Sequence, residues 1–253
     1  MFSFNRGKMK EKEIEIDLEG TEARIVYHQF QGIELQTFLA SFARERRCLS
    51  TREGFKKVKV VANNYNPPPL WESVHQNPDG YMNKIVTDLN LPPAETAMLL
   101  TGADMDNLAL RKEEYQEFKI VVVVTAGTKY NAQRIGVDGA GSLEREGKFE
   151  TLGTINVIVL TNASLSDGAM ARGVITLTEA KVIAFEDMDI RSSYDPEIRA
   201  TGTGTDNAII VSGEGPRIDY LGGHAKMGEL MARAVTSAVK EAIFKQNGME
   251  CHD

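Results

Sequence analysis

The sequence predicts a mixed α+β domain or a three-layer α/β domain, a single unit in which a central mixed sheet is packed by helices with small-residue faces. Three observations carry this. Residues 118–124 and 155–160 are runs rich in apolar β-branched side chains, broken only by Lys119 and Asn156, the pattern of strands buried on both faces. Residues 167–186 and 226–245 instead repeat small side chains at spacings of three and four. A chain of 253 residues, 42% hydrophobic and 26% charged, is also long enough and ordinary enough in composition to bury one substantial core.

From the N-terminus, Ile14, Ile16 and Leu18 and then Ala23, Ile25 and Tyr27 alternate with polar residues on either side of Glu19-Gly20, a hairpin pattern. Residues 1–45 therefore read as N-terminal strands, continuous with a domain covering 46–245. Val58-Lys59-Val60-Val61 reads as a further strand. The following NNYNPPP is expected to stop it, because consecutive prolines supply no N–H to a ladder. Residues 79–89 and 93–98 read as helical, the second with prolines at its start.

Each of the two apolar strands runs into a polar loop, Thr125-Ala126-Gly127-Thr128 in one case and residues 161–168 in the other. The second loop leads into a helix that Ser166 is placed to cap, while Asp167 meets the positive end of its dipole. Ala169, Gly173, Thr176, Ala180 and Ala184 give that helix a face for close packing on a sheet. Ala234, Ala238 and Ala242 do the same for the last helix. Such faces suit packing within a subunit or between subunits, so a homo-oligomer is compatible with them.

Composition excludes several classes. A net charge of −7 leaves no electrostatic footprint for nucleic acid or an anionic membrane. The longest apolar run, 120–124, is far short of the ~20 residues of a membrane helix. MFSFNRGKMKEKEIEI has no apolar segment of a secretory signal. Cys48 and Cys251 lack any CxxC or Cys/His spacing and read as two free thiols, which points to the cytoplasm. Gly202-Thr203-Gly204 lacks the third glycine of a dinucleotide loop and precedes a strand rather than a helix. No phosphate loop for ATP hydrolysis is present, Gly223-His224-Ala225-Lys226 being a near approach that does not match.

Candidate chemistry concentrates in a few places. His224 stands before the last helix behind Gly222-Gly223, where unsatisfied backbone N–H groups can hold an oxyanion and an imidazole can take and return a proton. Cleavage of an amide needs both services. Asp167 and Asp206 are carboxylates that could orient such an imidazole. Asp104 and Asp106 sit two apart, so on a strand both would face one side and could share a metal, although two acids are too few to define one. His28, His75 and His252 lie in less suggestive settings. The stretch ATGTGTD, residues 200–206, combines flexible backbone with hydroxyls and a carboxylate and suits a binding loop or an ordinary turn.

Five blocks together resemble the adenosylcobinamide amidohydrolase (CbiZ) family: Arg47-Cys48-Leu49-Ser50-Thr51, MLLTGADMDNLAL, VVVVTAGTKYNAQRIG, GTINVIVLTNASLSDGAMARGVITLTEAK and RATGTGTDNAIIVSGEGPRIDYLGGHAKMGELMARAV. They cover about 46–245 in order. The resemblance implies hydrolysis of the amide joining the aminopropanol arm to the corrin ring of adenosylcobinamide, giving adenosylcobyric acid and 1-amino-2-propanol for rebuilding coenzyme B12. It implies a corrinoid small-molecule substrate that brings its own cobalt, and no separate cofactor or ATP. On this reading His224 is general base and then acid, oriented by Asp206 or Asp167. Thr125, Asn131, Asn156, Asn162, Thr203 and Thr205 hold the substrate's amides, joined by Ser50, Thr51, Asp104 and Asp106. Water attacks directly, or Ser50, Thr51 or Thr154 forms an acyl-enzyme. The competing class is a corrinoid carrier or sensor that cleaves nothing; a third is hydrolysis of an unrelated peptide-like amide.

Overall fold

A computed structural model describes residues 9–140 and 155–248 of the chain. Thr154, Cys251 and His252 lie outside the described residues. The first half comprises β1 (Lys10–Ile14), β2 (Thr21–Phe30), β3 (Ile33–Ser50), β4 (Gly54–Tyr65), α1 (Trp71–Gln76), α2 (Pro78–Asp88), β5 (Thr96–Thr101), β6 (Ala109–Tyr115), β7 (Phe118–Ala126) and β8 (Ala132–Gln133). The second comprises β9 (Ile155–Thr161), β10 (Ser164–Leu165), α3 (Asp167–Asp187), β11 (Gly202–Thr203), β12 (Asn207–Val211), β13 (Arg217–Ile218) and α4 (Lys226–Asn247).

Nine strands form one curled sheet in the order β1-β2-β3-β12-β9-β7-β6, with β4 and β5 running off β3. β9 and β12 are parallel, as are β4 and β5; the other pairings are antiparallel. β3 is the hub. Its register against β4 shifts between Ser41 and Arg46, and there the long strand bends from one layer into another. Residues 48–50 pair with β12, while 33–42 pair with β2.

Side-chain alternation shows the layering. Val121, Val123, Ile158, Leu160, Ile209 and Val211 join Ile25, Phe38, Val61, Ala97 and Leu99 in one apolar cluster between two layers of the curled sheet. Their neighbours Val122, Val124, Val157, Val159, Ala208 and Ile210 face α3 and α4. Val26, Leu39, Val60, Ala62 and Met98 face α1 and α2. The result is an α+β sandwich of four layers, helices outside and sheet layers inside, in place of the three-layer alternative.

The helix faces behave as their spacing demands. Ala169, Gly173, Thr176, Ala180 and Ala184 are buried on α3, and Ala234, Ala238 and Ala242 on α4. A Cβ on Gly173 would approach Ile210 Cδ1 to 2.9 Å, so glycine lets α3 lie against β12. Ser166 caps α3 by accepting from Ala169 N at 3.2 Å. The N-terminal hairpin forms with Ile14 opposite Ala23.

Three expectations change. Residues 93–98 are not a helix: Pro93–Glu95 make one 3-10 turn, and Thr96–Thr101 form a strand parallel to β4 with all six residues buried. NNYNPPP stops β4 only at its prolines, so Asn63 and Asn64 belong to the strand. Asp104 caps the 3-10 turn Met105–Asn107 and Asp106 lies within it, Asp104 Oδ1 accepting from Asp106 N at 2.8 Å, so they share no strand face.

Candidate active site

One end of the inter-sheet core is crowned by polar side chains in register. Thr125 of β7 lies opposite Asn156 of β9, and Asn156 lies beside Asn207 of β12. All three share the parity of the residues that point between the sheet layers, Val123, Ile158 and Ile209. Asn63, with the parity of Val61, comes to meet them from the second layer. Asn63 Nδ2 donates to Thr125 Oγ1 at 2.8 Å, and Asn156 Nδ2 donates to Asn63 Oδ1 at 2.7 Å and to Leu100 O at 2.9 Å. Thr125 Oγ1 reaches Thr101 Oγ1 at 3.5 Å. Thr51 Oγ1 donates to Asn207 Oδ1 at 3.0 Å and ties the β3–β4 turn to the row.

The backbone carbonyl of Leu100 sets the direction of this network. It requires Nδ2 of Asn156 on its side, which leaves Asn156 Oδ1 buried with no hydrogen-bond partner among the described residues. A buried acceptor without a donor is a costly arrangement, and such sites are where a ligand or water donor is recruited. Ser50 Oγ instead accepts from Arg52 N and Glu53 N, both at 3.3 Å, and holds its own turn.

The loops beside the row are also hydroxyl-rich. β11 pairs with β8, Thr203 opposite Ala132, which brings 202–206 and the half-buried Asn131 to this end. Thr205 O accepts from Asn207 Nδ2 at 3.2 Å. Asp206 has the parity of Ala208 and therefore faces α3. There it forms an ion pair with buried Lys181 and accepts from Thr203 N at 3.1 Å and Thr203 Oγ1 at 2.5 Å. A Cβ at position 202 would overlap Lys181 Nζ and Asp206 Oδ2, so a larger residue there would have to displace the ion pair. In this loop the Thr/Gly/Asp composition builds an internal ion pair as well as a site edge.

Half-buried Asp104 stands at the same end, where Gln246 near the α4 C-terminus accepts from Asp104 N at 3.1 Å. Its charge acts on half-buried Tyr65, whose hydroxyl pKa is raised by burial first and by Asp104 second. Asp106 is exposed; the Tyr27 hydroxyl, 2.6 Å away, holds its carboxyl below the usual range. Among the described residues no three His, Cys, Asp or Glu side chains are grouped to hold a metal ion.

The expected His224, Asp206 and Asp167 relay is not assembled. The C-terminal turn of α4 reaches Thr128 through Asn247 Nδ2 and Leu108 through Lys245 Nζ, both beside the polar row. His224 precedes the opposite end of that 22-residue helix, about 33 Å long at 1.5 Å per residue. It is exposed there and makes no hydrogen bond among the described residues. Asp167 is bound by Arg47 at 2.6 Å, beyond the C-terminal end of β12. Asn162 closes β9 at the same far end, accepting from Lys119 N at 2.9 Å and donating to Glu117 O at 2.6 Å. Six residues of strand, about 20 Å, separate it from Asn156.

A cleft of about 500 Å³ opens at that far end, lined by Arg46, Asn162, Ser212 and Glu214 among others. Arg46 is paired with Glu214 at 2.9 Å, and Asn162 is engaged as described. Arg46 and Glu214 satisfy each other and Asn162 and Ser212 are held by backbone groups, so the polar row is the better candidate site. Asn63, Thr101, Asn207 and Lys181 were missed from sequence. The signal for Asn63 and Asn207 was present, since each continues the period of two set by Val61 and by Ile209 and Val211.

Fold and site together define a single-domain α+β sandwich with an uncharged carboxamide and hydroxyl row between its sheet layers. The chain belongs to the adenosylcobinamide amidohydrolase family, whose profile matches residues 21–251. An uncharacterized protein of Methanocaldococcus jannaschii is 48% identical over 225 residues, 85% of this chain and 88% of that one. An adenosylcobinamide amidohydrolase of Methanosarcina mazei is 25% identical over 197 residues, 73% of this chain and 80% of that one. A crystal structure of a Pyrococcus horikoshii protein superposes with a TM-score of 0.48 and 10% identity, covering 92% of this chain and 85% of that one. No helix of the described residues is long and apolar enough to cross a membrane.

Proposed function

We propose that this protein hydrolyses the amide joining aminopropanol to the corrin ring of adenosylcobinamide, without ATP, and releases adenosylcobyric acid and 1-amino-2-propanol. The observation that carries the reading is the family match across 21–251, which includes every strand contributing to the polar row. The substrate bears several similar amides, so selectivity rests on orienting one of them. Asn and Thr side chains can donate to or accept from an amide, and the row of Thr125, Asn156 and Asn207 offers both services without a charge to desolvate. Thr203, Thr205 and Asn131 flank it.

In the reaction, water adds to the amide carbonyl, the oxyanion collapses, and the C–N bond breaks with a proton passing to the amine. Asp104 has no cation partner among the described residues, and we assign it to accept the proton of the attacking water. Asp206 with Lys181 is assigned to fixing the loop that carries Thr203.

The test is incubation of purified protein with adenosylcobinamide and no ATP, followed by chromatography for cobyric acid. Asp104→Asn is expected to lower kcat about 100-fold or more, within the range for a lost general base. His224→Ala is expected to leave kcat/KM within about threefold, less than 1 kcal/mol. Corrinoid binding without product would favour the carrier or sensor reading.

A further inference from the structure

The row from Thr125 to Asn207 spans two strand spacings, about 10 Å, and cannot by itself support a macrocycle with amide arms. Beside it lies a lobe built from 128–140 and 189–203. Ser193 N donates to Ala132 O at 2.8 Å and Ala132 N to Ser193 Oγ at 3.1 Å, which ties the segment carrying Tyr194 to the segment carrying Tyr130. Ile135 N donates to Thr201 Oγ1 at 3.0 Å, and Asp138 Oδ2 accepts from both Arg134 N and Ser192 Oγ. This well-tied lobe nevertheless exposes Tyr130, Ile135, Val137 and Tyr194, each between 63% and 77% accessible.

Four large apolar side chains presented on one hydrogen-bonded loop pair differ from the scattered exposure normal on a protein surface. Their lobe is continuous with the site, because β8 within it pairs with β11, which ends four residues before Asn207. Tyrosine brings broad apolar area with only two side-chain torsions to order, which suits contact with a flat ring. Lys129 Nζ lies 5.6 Å from the Tyr130 ring centroid and offers a cation beside that aromatic surface.

Resting on the function proposed above, we infer that this lobe is the platform for the apolar face of the corrinoid macrocycle, with Tyr130 and Tyr194 as its principal contacts and the polar row receiving the amide arms. The lobe selects the ring; the row selects the bond.

The probe is cobyric acid, which has the macrocycle but no scissile arm, so binding is read without turnover. Equilibrium dialysis followed by visible absorbance is expected to show affinity falling about tenfold or more in Tyr130→Ser and in Tyr194→Ser, ~1.4 kcal/mol each. Ile175→Ser and Ile183→Ser, at half-exposed positions on α3, serve as controls expected to leave affinity unchanged. Circular dichroism melting tests that the tyrosine variants fold like the parent. Unchanged affinity in both tyrosine variants overturns the inference, as does a change in sedimentation without a change in affinity, which would make the lobe a contact between copies of the chain. A parent protein that binds cobyric acid but never cleaves adenosylcobinamide sinks the hydrolase reading while the platform stands. Cleavage by variants with parental affinity does the reverse.

Discussion

Asn156 Nδ2 donates to Asn63 Oδ1 at 2.7 Å, and through that bond a side chain of one sheet layer holds the other. The same amide also donates to Leu100 O, so Asn156→Ala leaves two buried acceptors without a donor. The expected destabilisation is about 2–4 kcal/mol, at one to two unsatisfied groups' desolvation. Asn156→Asp is expected to be worse, because a carboxylate would face both of those oxygens. Urea unfolding midpoints check the order, and a cycle with Asn63→Ala is expected to return a coupling of about 1 kcal/mol. Additive effects would show that the two layers are not joined here.

The ion pair of Lys181 and Asp206 is expected to behave as a unit. Lys181 is buried, so Asp206→Ala leaves its charge uncompensated and is expected to destabilise the fold by about 3–5 kcal/mol. Replacing both partners, Lys181→Met with Asp206→Leu, is expected to recover most of that loss in thermal unfolding. Thr203 loses its carboxylate partner in both variants, so any defect in substrate affinity that survives in the stable double variant reports on the loop alone.

Much of the fold was legible because burial imposes short-range patterns. Residues 120–124 and 157–160 are apolar on both faces since each strand lies between α3 and α4 on one side and the second sheet layer on the other. The small faces of α3 and α4 follow from close contact with that sheet. The layer count was not legible, because it depends on β3 bending between Ser41 and Arg46, and no local pattern in 33–50 announces where a strand changes layer. Residues 93–98 misled because a proline-initiated turn resembles a helix start until the six buried residues behind it are seen to pair with β4. For the site, hydroxyl and amide composition found Thr125 and Asn156 but could not say which end of a strand a loop occupies. Asn162, Asp167 and His224 have the same composition signal as Asn156, Asp206 and Thr203, and they lie at the far end.

His28 gives the structure a specific acid sensitivity. Burial pushes its pKa down from 6.5 to about 4, partly offset by Asp88 and Asn64. Nε2 lies 2.9 Å from Thr37 Oγ1, whose hydroxyl donates to Asn64 Oδ1, so the neutral ring donates from Nε2 and leaves Nδ1 buried without a partner among the described residues. Because the folded pKa lies below the unfolded value, the unfolded state binds more protons between them. The contribution of neutral His28 is therefore complete above pH 6.5 and is lost as pH falls toward 4, to a total of about 3 kcal/mol. Denaturant midpoints measured from pH 7.5 to 4 should fall more steeply for the parent than for His28→Gln. Equal slopes would remove His28 as the source.

Cys48 tests the burial of the central layer by chemistry instead of by unfolding. Its thiol is a free, buried group within the inter-sheet core, and burial first, with Glu53 second, pushes its pKa up to about 12. A thiol reacts as its thiolate, so at pH 8 only about one molecule in 10⁴ would be ionised even if a reagent could reach it. Iodoacetamide labelling of the native protein, read by peptide mass spectrometry, is expected to leave Cys48 unmodified over hours and to modify it within minutes in 6 M guanidinium. Rapid native labelling would mean that β3, β4 and β12 part from one another far more often than a packed core allows. Cys48→Ala is then the quantitative companion. It removes a fully buried sulfur from between the sheets and is expected to cost about 1 kcal/mol through the small cavity left behind, with activity unchanged because Cys48 lies on the far-end side of the row.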